Sequence, residues 1–186
     1  MSAAALPLKL ELRKQRRGRI ILSTAGILGL WTVWTVFLVQ HRSAKNEFAV
    51  TDFALLDVMG MAQLFCPIFI AVIATRLTAV DHQERMGRVF DALGQSLRQR
   101  FVAKLLILNA LAALCCVLLV VVAVGFGVAT GMPSSPELPA TAARCLAVLL
   151  LGSVAIAAVQ LALAMRFPDR PIGLIVSVAG AFLTSA

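Results

Sequence analysis

The chain has 186 residues, of which 60% are hydrophobic and only 14% are charged, and its mean hydropathy is +0.92. Soluble domains carry charge on roughly a quarter of their residues, so this composition excludes a soluble enzyme and indicates an integral membrane protein. The net charge of +8 would suggest nucleic acid as a partner of a soluble protein. Here the basic residues lie beside apolar blocks, where membrane topology and anionic lipid explain them, so we expect membrane lipid and no nucleic acid as a partner.

Five apolar blocks follow one another along the chain, and a helix needs about 20 mostly apolar residues to cross a bilayer. Pro133, Pro136 and Pro139 end the third block, because proline lacks the backbone N–H that a helix requires. The predicted spans are residues 20–39, 58–75, 105–130, 145–165 and 171–186. We therefore expect an all-α, polytopic helical membrane protein with a single transmembrane domain over residues 1–186. The fifth span is cut off at Ala186, so we expect six spans in the complete protein.

The distribution of lysine and arginine predicts the orientation of these spans. Fourteen of the 17 lysines and arginines lie in the N-terminal tail and in the loops after the second and fourth spans. Cytoplasmic loops carry the excess of basic residues, so the N-terminus is predicted to be cytoplasmic. A long basic stretch precedes a full first span, which is typical of a retained anchor and not of a signal peptide. We expect a multi-pass protein of a bacterial-type plasma membrane.

Residues 6–19 have the composition of a short interfacial helix. Leu8 and Leu12 lie four residues apart, with lysine and arginine around the remaining face, and Gly18 allows a turn into the first span. The same charges would equally serve only to hold the N-terminus in the cytoplasm.

Residues 81–94 form a second amphipathic segment, in the loop after the second span. Met86, Phe90 and Leu93 recur at helical spacing, and charged residues occupy another face. Those charged residues are Asp81, Glu84, Arg85 and Arg88. The segment either lies on the membrane with its apolar face in lipid or docks onto a cytoplasmic partner.

A helix break is predicted between this segment and the third span. Gly94 suits a C-terminal cap, and Ser96 followed three residues later by Gln99 is typical of a capping box that opens the next helix. The loop is therefore predicted to contain one helix over residues 81–94, a break, and a second helix that begins after Ser96 and leads into the third span.

A few polar or kinking residues interrupt the spans. The candidates for a transport path are Asp57, Gln63, Asn109 and Gln160. Amides in membrane helices either line a pathway or hold helices together, and both interpretations stay open. Pro67 is predicted to kink the second span. Trp31 and Trp34 lie too deep for an interfacial belt, so they pack between helices, face acyl chains or border a path for an amphipathic peptide.

Motifs for catalysis, cofactors or metal binding are missing from the sequence. The four cysteines show no CxxC spacing, and His41 and His82 lie outside the spans without a GxSxG or HExxH motif. A GxxxxGK[ST] phosphate loop is also missing. We expect no enzymatic activity, no cofactor and no metal site in this chain.

Two stretches resemble a known family of transporters. They are LKLELRKQRRGRI before the first span and IATRLTAVDHQERMGRVFDALGQSLRQRFVAKLLIL after the second. With six expected spans, they resemble permease subunits of type 2 ABC exporters, most of all those that give immunity to lantibiotics or bacitracin-like peptides. The family's glutamate-and-glycine segment is similar to Glu84-Arg85-Met86-Gly87, and Lys104 matches a lysine that opens the third span. The resemblance covers residues 8–110 best, although family members often have proline where this chain has Gln95-Ser96.

The resemblance implies a function and partners. Residues 81–94 would be a coupling helix in a cleft of a separate ABC ATPase subunit, and a second permease copy or paralogue would complete the path. The implied contacts with the ATPase are Glu84, Arg85, Gly87, Arg88, Phe90 and Leu93. The implied activity is export of an amphipathic or hydrophobic substrate such as an antimicrobial peptide, which would give self-immunity and antibiotic resistance. The alternative is a non-transporting membrane adaptor or a subunit of another multi-span complex.

Overall fold

The computed structural model describes residues 20–44, 51–83, 96–167 and 172–185. In these ranges the chain forms five helices and no strand. The helices are α1 (Ile20–Ala44), α2 (Thr51–Gln83), α3 (Leu97–Ala129), α4 (Leu138–Arg166) and α5 (Ile172–Ser185). By length and composition, α1 to α4 can each cross a membrane, whereas α5 has 14 residues. The predicted all-α, polytopic fold is confirmed, and the proposed interfacial segment 6–19 lies outside the described residues.

The helices extend beyond the apolar blocks that predicted them. α2 starts at Thr51 and continues to Gln83, and α4 starts at Leu138, before the predicted boundary at 145. Pro139 is tolerated there because the first turn of a helix has N–H groups without helical partners. Hydropathy detects only the part of a helix that lies in hydrocarbon, whereas the backbone hydrogen bonds continue where polar side chains reach water.

The start of α3 follows the predicted capping box. The backbone N–H of Gln99 donates to Oγ of Ser96 over 3.3 Å, and the N–H of Ser96 donates to Oε1 of Gln99 over 3.1 Å. Two backbone donors that would lack a helical partner are thus satisfied, and this prediction is confirmed.

α2 lies at the centre of the described bundle and contacts each of the other four helices. Its hydrophobic residues with no exposed surface are Ala54, Leu55, Ala62, Ile70, Ala74 and Leu77. Three of these six residues are alanines, whose small side chains allow neighbouring helices to approach α2 closely. Movement of α2 would therefore change its contacts with all four other described helices.

The loop between α3 and α4 is fastened to the first turn of α2. The N–H of Thr51 donates to the Pro133 carbonyl over 3.0 Å. Asp52 accepts from Oγ of Ser135 over 2.9 Å and from its N–H over 3.3 Å. Gly127 faces the Thr51 side chain so closely that an added Cβ would overlap it. These contacts join the start of α2 and the end of α3 at one end of the bundle.

Candidate functional site

An aromatic cleft of about 400 Å³ lies between α1 and α2. Trp31 and Trp34 line it from α1, and Phe65 and Phe69 line it from α2, with aliphatic side chains filling the remaining wall. The Trp31 ring lies 6.1 Å from the Phe65 ring and 6.4 Å from the Phe69 ring, measured between centroids. These separations are in the range of favourable tilted aromatic pairs. The cleft therefore presents an apolar, polarisable surface to an occupant.

The two tryptophans of this cleft have different environments. Trp31 is 5% exposed, and its indole Nε1–H is buried with no hydrogen-bond partner among the described residues. Trp34 is 48% exposed and pairs with Phe37 at 6.3 Å. Trp31 thus packs between helices, whereas Trp34 faces outward at the rim. A buried tryptophan N–H normally finds a partner, so Trp31 contributes an unused donor beside an otherwise apolar cleft.

A second cavity of about 490 Å³ lies between α2, α4 and α5. A chain of hydrogen bonds runs along it: Nε2 of Gln160 donates to Oγ of Ser177 over 2.6 Å, and Ser177 donates to the Pro67 carbonyl over 3.1 Å. Gln160 and Ser177 are both buried, and Gln63 also lines the cavity. These hydrogen bonds connect α4 and α5 to Pro67, the one proline inside α2.

The amino-acid sequence matches a known transporter family along almost its whole length. The family described as ABC-2 family transporter protein matches residues 7–184. The chain belongs to the ABC-2 transporter family. It is a multi-pass membrane permease of an ABC transporter, a transmembrane component that is not itself catalytic, and the family implies an ABC ATPase partner in general. Neither the curated proteins nor the solved structures include a match to this permease.

The four predicted polar residues of the permease do not form one cluster. Gln63 and Gln160 line the same cavity, although they come from α2 and α4. Asn109 is half-buried on α3, and its Oδ1 is buried without a hydrogen-bond partner among the described residues. Asp57 is half-buried near the start of α2, and neither of these two residues lines the cleft or the cavity. Ser177 was missed by the sequence reasoning because a serine in an apolar block gives no distinct signal.

The end of α2 is held to the start of α3 by a buried cation. Lys104 is 1% exposed, and its Nζ donates to the Leu77 carbonyl over 2.7 Å. Arg100, one turn earlier on α3, is buried as well. The predicted coupling segment begins in this region, and its residues 81–83 are part of α2. Its contact residues Glu84, Arg85, Gly87, Arg88, Phe90 and Leu93 lie outside the described residues.

The cysteines of the permease are distributed over three helices. All four, Cys66, Cys115, Cys116 and Cys145, are buried free thiols. In the described part of the chain, histidine, cysteine, aspartate and glutamate do not form a group able to hold a metal ion.

Proposed function

We propose that this permease is the membrane-spanning half of an ATP-driven exporter that moves an amphipathic or hydrophobic molecule, such as an antimicrobial peptide, out of the cell. Export of that kind would give a producing bacterium immunity to its own product. The family membership supports a permease, and the aromatic cleft between α1 and α2 supports the class of substrate.

The cleft is the observation that carries this proposal. Its walls are almost entirely apolar, so it favours a molecule that partitions into the membrane over a sugar or an ion. Charged substrates without an apolar face would lose their hydration there and gain no compensating charge.

Coupling to ATP hydrolysis is proposed to run through residues 81–94. Glu84, Arg85, Gly87, Arg88, Phe90 and Leu93 would contact a separate ABC ATPase subunit. Because α2 continues through Gln83, displacement of residues 81–94 would also move α2. That helix contacts all four other described helices. Movement of α2 would then change the width of the cleft, because Phe65 and Phe69 form its wall on that helix.

The proposed assembly has two permease copies, or this permease and a paralogue, with two ATPase copies. The N-terminus and residues 81–94 are proposed to be cytoplasmic, since the basic residues concentrate there. This orientation in the plasma membrane would place the coupling segment on the side where ATP is available.

A transport assay in inverted membrane vesicles tests the proposal. The vesicles contain the full-length permease with its proposed ABC ATPase subunit, and the probe is a fluorescent, cationic amphipathic peptide. We expect ATP-dependent uptake that Trp31→Ala lowers about fivefold or more, because two aromatic pairs are lost. Phe167→Ala is the control, since Phe167 is an exposed aromatic residue that does not line the cleft. Absence of ATP-dependent uptake would contradict an exporter and favour a non-transporting adaptor.

A further inference from the structure

Most of the surface of α2 is covered, but one stripe of it is open. Within the described residues 54–75, Leu56, Gly60 and Gln63 are exposed and every other residue is buried or half-buried. These three positions are four and three residues apart, so they lie on one face of the helix. Pro67 is four residues further along the same face, and it lines the cavity between α2, α4 and α5 together with Gln63. Leu56, Gly60 and Gln63 are called the open stripe of α2.

Gln63 places a polar side chain at a depth where water is scarce. The candidate span of α2 covers the 26 residues Ala54–Ala79, and Gln63 lies three to four residues from its middle. That offset is about 5 Å along a helix, whereas the hydrocarbon extends about 15 Å to either side of the membrane centre. The side chain of Gln63 has no hydrogen bond to another residue in the described part of the chain. An amide that faces acyl chains is costly, because the chains offer neither a donor nor an acceptor.

The other two polar side chains that line the cavity do not bind Gln63. Nε2 of Gln160 donates to Oγ of Ser177, and Ser177 donates to the Pro67 carbonyl. Both side chains are buried, whereas Gln63 is exposed. A hydrogen-bond partner for Gln63 therefore has to come from outside the described bundle.

Gly60 leaves room for a second helix beside this amide. A Cβ at Gly60 would have no heavy atom within 4 Å. Small residues in membrane helices allow another helix to approach closely, and polar side chains near the crossing point then form hydrogen bonds between the helices. Gly60 precedes Gln63 by three residues, so a helix that crosses α2 at Gly60 passes the Gln63 amide. The open stripe thus combines space for a helix with one polar contact.

A second copy of this permease would provide both a helix and complementary charges. Two copies with the same orientation in the membrane are related by a two-fold axis along the membrane normal, so identical residues lie at the same depth. The amide of Gln63 has an acceptor oxygen with partial negative charge and an NH₂ donor with partial positive charge. Two such amides that meet at the axis can each donate to the other, which satisfies both. Acyl chains over the stripe would leave the amide unpaired.

We infer that the open stripe of α2 packs against α2 of a second copy of this permease, and that Gln63 forms hydrogen bonds with Gln63 of the partner subunit. The inference rests on the proposed function, in which two permease halves form the path, and it selects an identical copy over a paralogue. It also places the helix that contacts the four other described helices at the contact between copies. Displacement of α2 during coupling would then change that contact.

Cysteine cross-linking in membranes tests the contact. The full-length permease is co-expressed with its proposed ABC ATPase subunit, and a membrane-permeant copper oxidant is added. Leu114→Cys is the matched control for Gln63→Cys, because Leu114 is exposed near the middle of α3 and does not line the cavity. Disulfides form only between Cα atoms within about 7 Å, so we expect at least about fivefold more covalent dimer from Gln63→Cys than from Leu114→Cys. The wild type, whose four cysteines are buried, should give little dimer.

Two glycine variants separate the contact from the fold of a single copy. An added Cβ meets no heavy atom within 4 Å at Gly60 or at Gly125 of α3, so leucine at either position should leave the thermal unfolding midpoint of one copy nearly unchanged. Combined with Gln63→Cys, Gly60→Leu should lower the dimer yield about fivefold or more, because it blocks close approach of the helices. Gly125→Leu should not. Equal dimer yields in the two leucine variants would overturn the inference, as would equal yields from Gln63→Cys and Leu114→Cys.

The strength of association tests the amide pair itself. Energy transfer between donor-labelled and acceptor-labelled copies of the full-length permease in lipid bilayers measures it. We expect Gln63→Leu to weaken association about threefold to tenfold, as loss of amide hydrogen bonds between membrane helices predicts. Gln40→Leu is the control, because Gln40 is an exposed amide of α1 that does not line the cavity. Unchanged association of Gln63→Leu would contradict the pairing.

The same preparations distinguish failure of this inference from failure of the proposed function. ATP-dependent uptake without a Gln63→Cys dimer would contradict the contact and leave the exporter standing. A Gln63→Cys dimer without ATP-dependent uptake would support the contact and contradict the exporter. Cross-linking of Gln63→Cys to a different membrane protein would overturn the identical copy and indicate a paralogue.

Discussion

Nζ of Lys104 donates a 2.7 Å hydrogen bond to the main-chain oxygen of Leu77, which joins the first turns of α3 to the last turns of α2. The oxygen belongs to a residue six positions before Gln83, the last described residue of α2. Lysine is a flexible side chain that is seldom fully buried, so a buried ammonium group here indicates a specific role in holding the two helices together. The contact lies next to the segment through which coupling to the ATPase is proposed.

Replacement of this lysine should loosen the pair of helices. Lys104→Met keeps most of the side-chain volume and removes the charged donor, which should cost about 1.5–3 kcal/mol. We expect a lower midpoint of thermal unfolding for the detergent-purified permease. Arg98→Met is the matched control, because Arg98 is an exposed cation of the same helix. A shift of equal size in both variants would contradict a specific role for Lys104.

Two glycines of α3 provide a second matched pair. Alanine at 127 would overlap the Thr51 side chain and disturb the bond from Thr51 to the Pro133 carbonyl, whereas alanine at 125 would enter open space. We expect Gly127→Ala to destabilise the permease by about 1–3 kcal/mol. Gly125→Ala should be neutral or stabilising by up to about 1 kcal/mol, because alanine favours helix. Thermal unfolding of both variants checks this, and equal midpoints would show that the loop is not fastened at Thr51.

The two tryptophans should report different environments. The chain has only two, so Trp34→Phe leaves Trp31 alone and Trp31→Phe leaves Trp34 alone. In bilayers that contain lipids brominated near the chain ends, we expect Trp34 fluorescence to be quenched more strongly than Trp31 fluorescence. The reason is that Trp34 is 48% exposed, whereas Trp31 is 5% exposed. Equal or reversed quenching would contradict the packing of the cleft.

The proposed orientation predicts which end of α3 faces outward. Ser134 lies in the loop after α3 and Arg98 in its first turn, and both side chains are exposed. On intact cells, a membrane-impermeant maleimide should label Ser134→Cys and should label Arg98→Cys only after permeabilisation. The native cysteines are buried and give a low background. The reverse pattern would place the N-terminus and the coupling segment outside the cell.

The sequence predicts the helices of this fold well, and it predicts their contacts poorly. Long apolar blocks identify the spans because hydrocarbon excludes an unpaired backbone. The sequence also predicts the capping box of Ser96 and Gln99, because that motif depends only on the spacing of two nearby residues. The pairing of Gln160 with Ser177 could not be predicted, because helices that are apolar on every side carry no periodic signal of which face is buried. The ends of α2 were missed for a related reason, since hydropathy does not detect polar helical turns beyond the hydrocarbon.

The central claim is that residues 81–94 connect this permease to a separate ABC ATPase. Its most direct test is purification of the full-length permease from its native membrane, comparing the wild type with the double variant Glu84→Arg and Arg88→Glu. We expect an ABC ATPase to co-purify with the wild type and to be lost from the double variant, while both proteins show the same thermal unfolding midpoint. Arg98→Glu, a charge reversal outside the segment, should retain the ATPase. The claim would be contradicted if the wild type carried no ATPase, or if the folded double variant retained it in full.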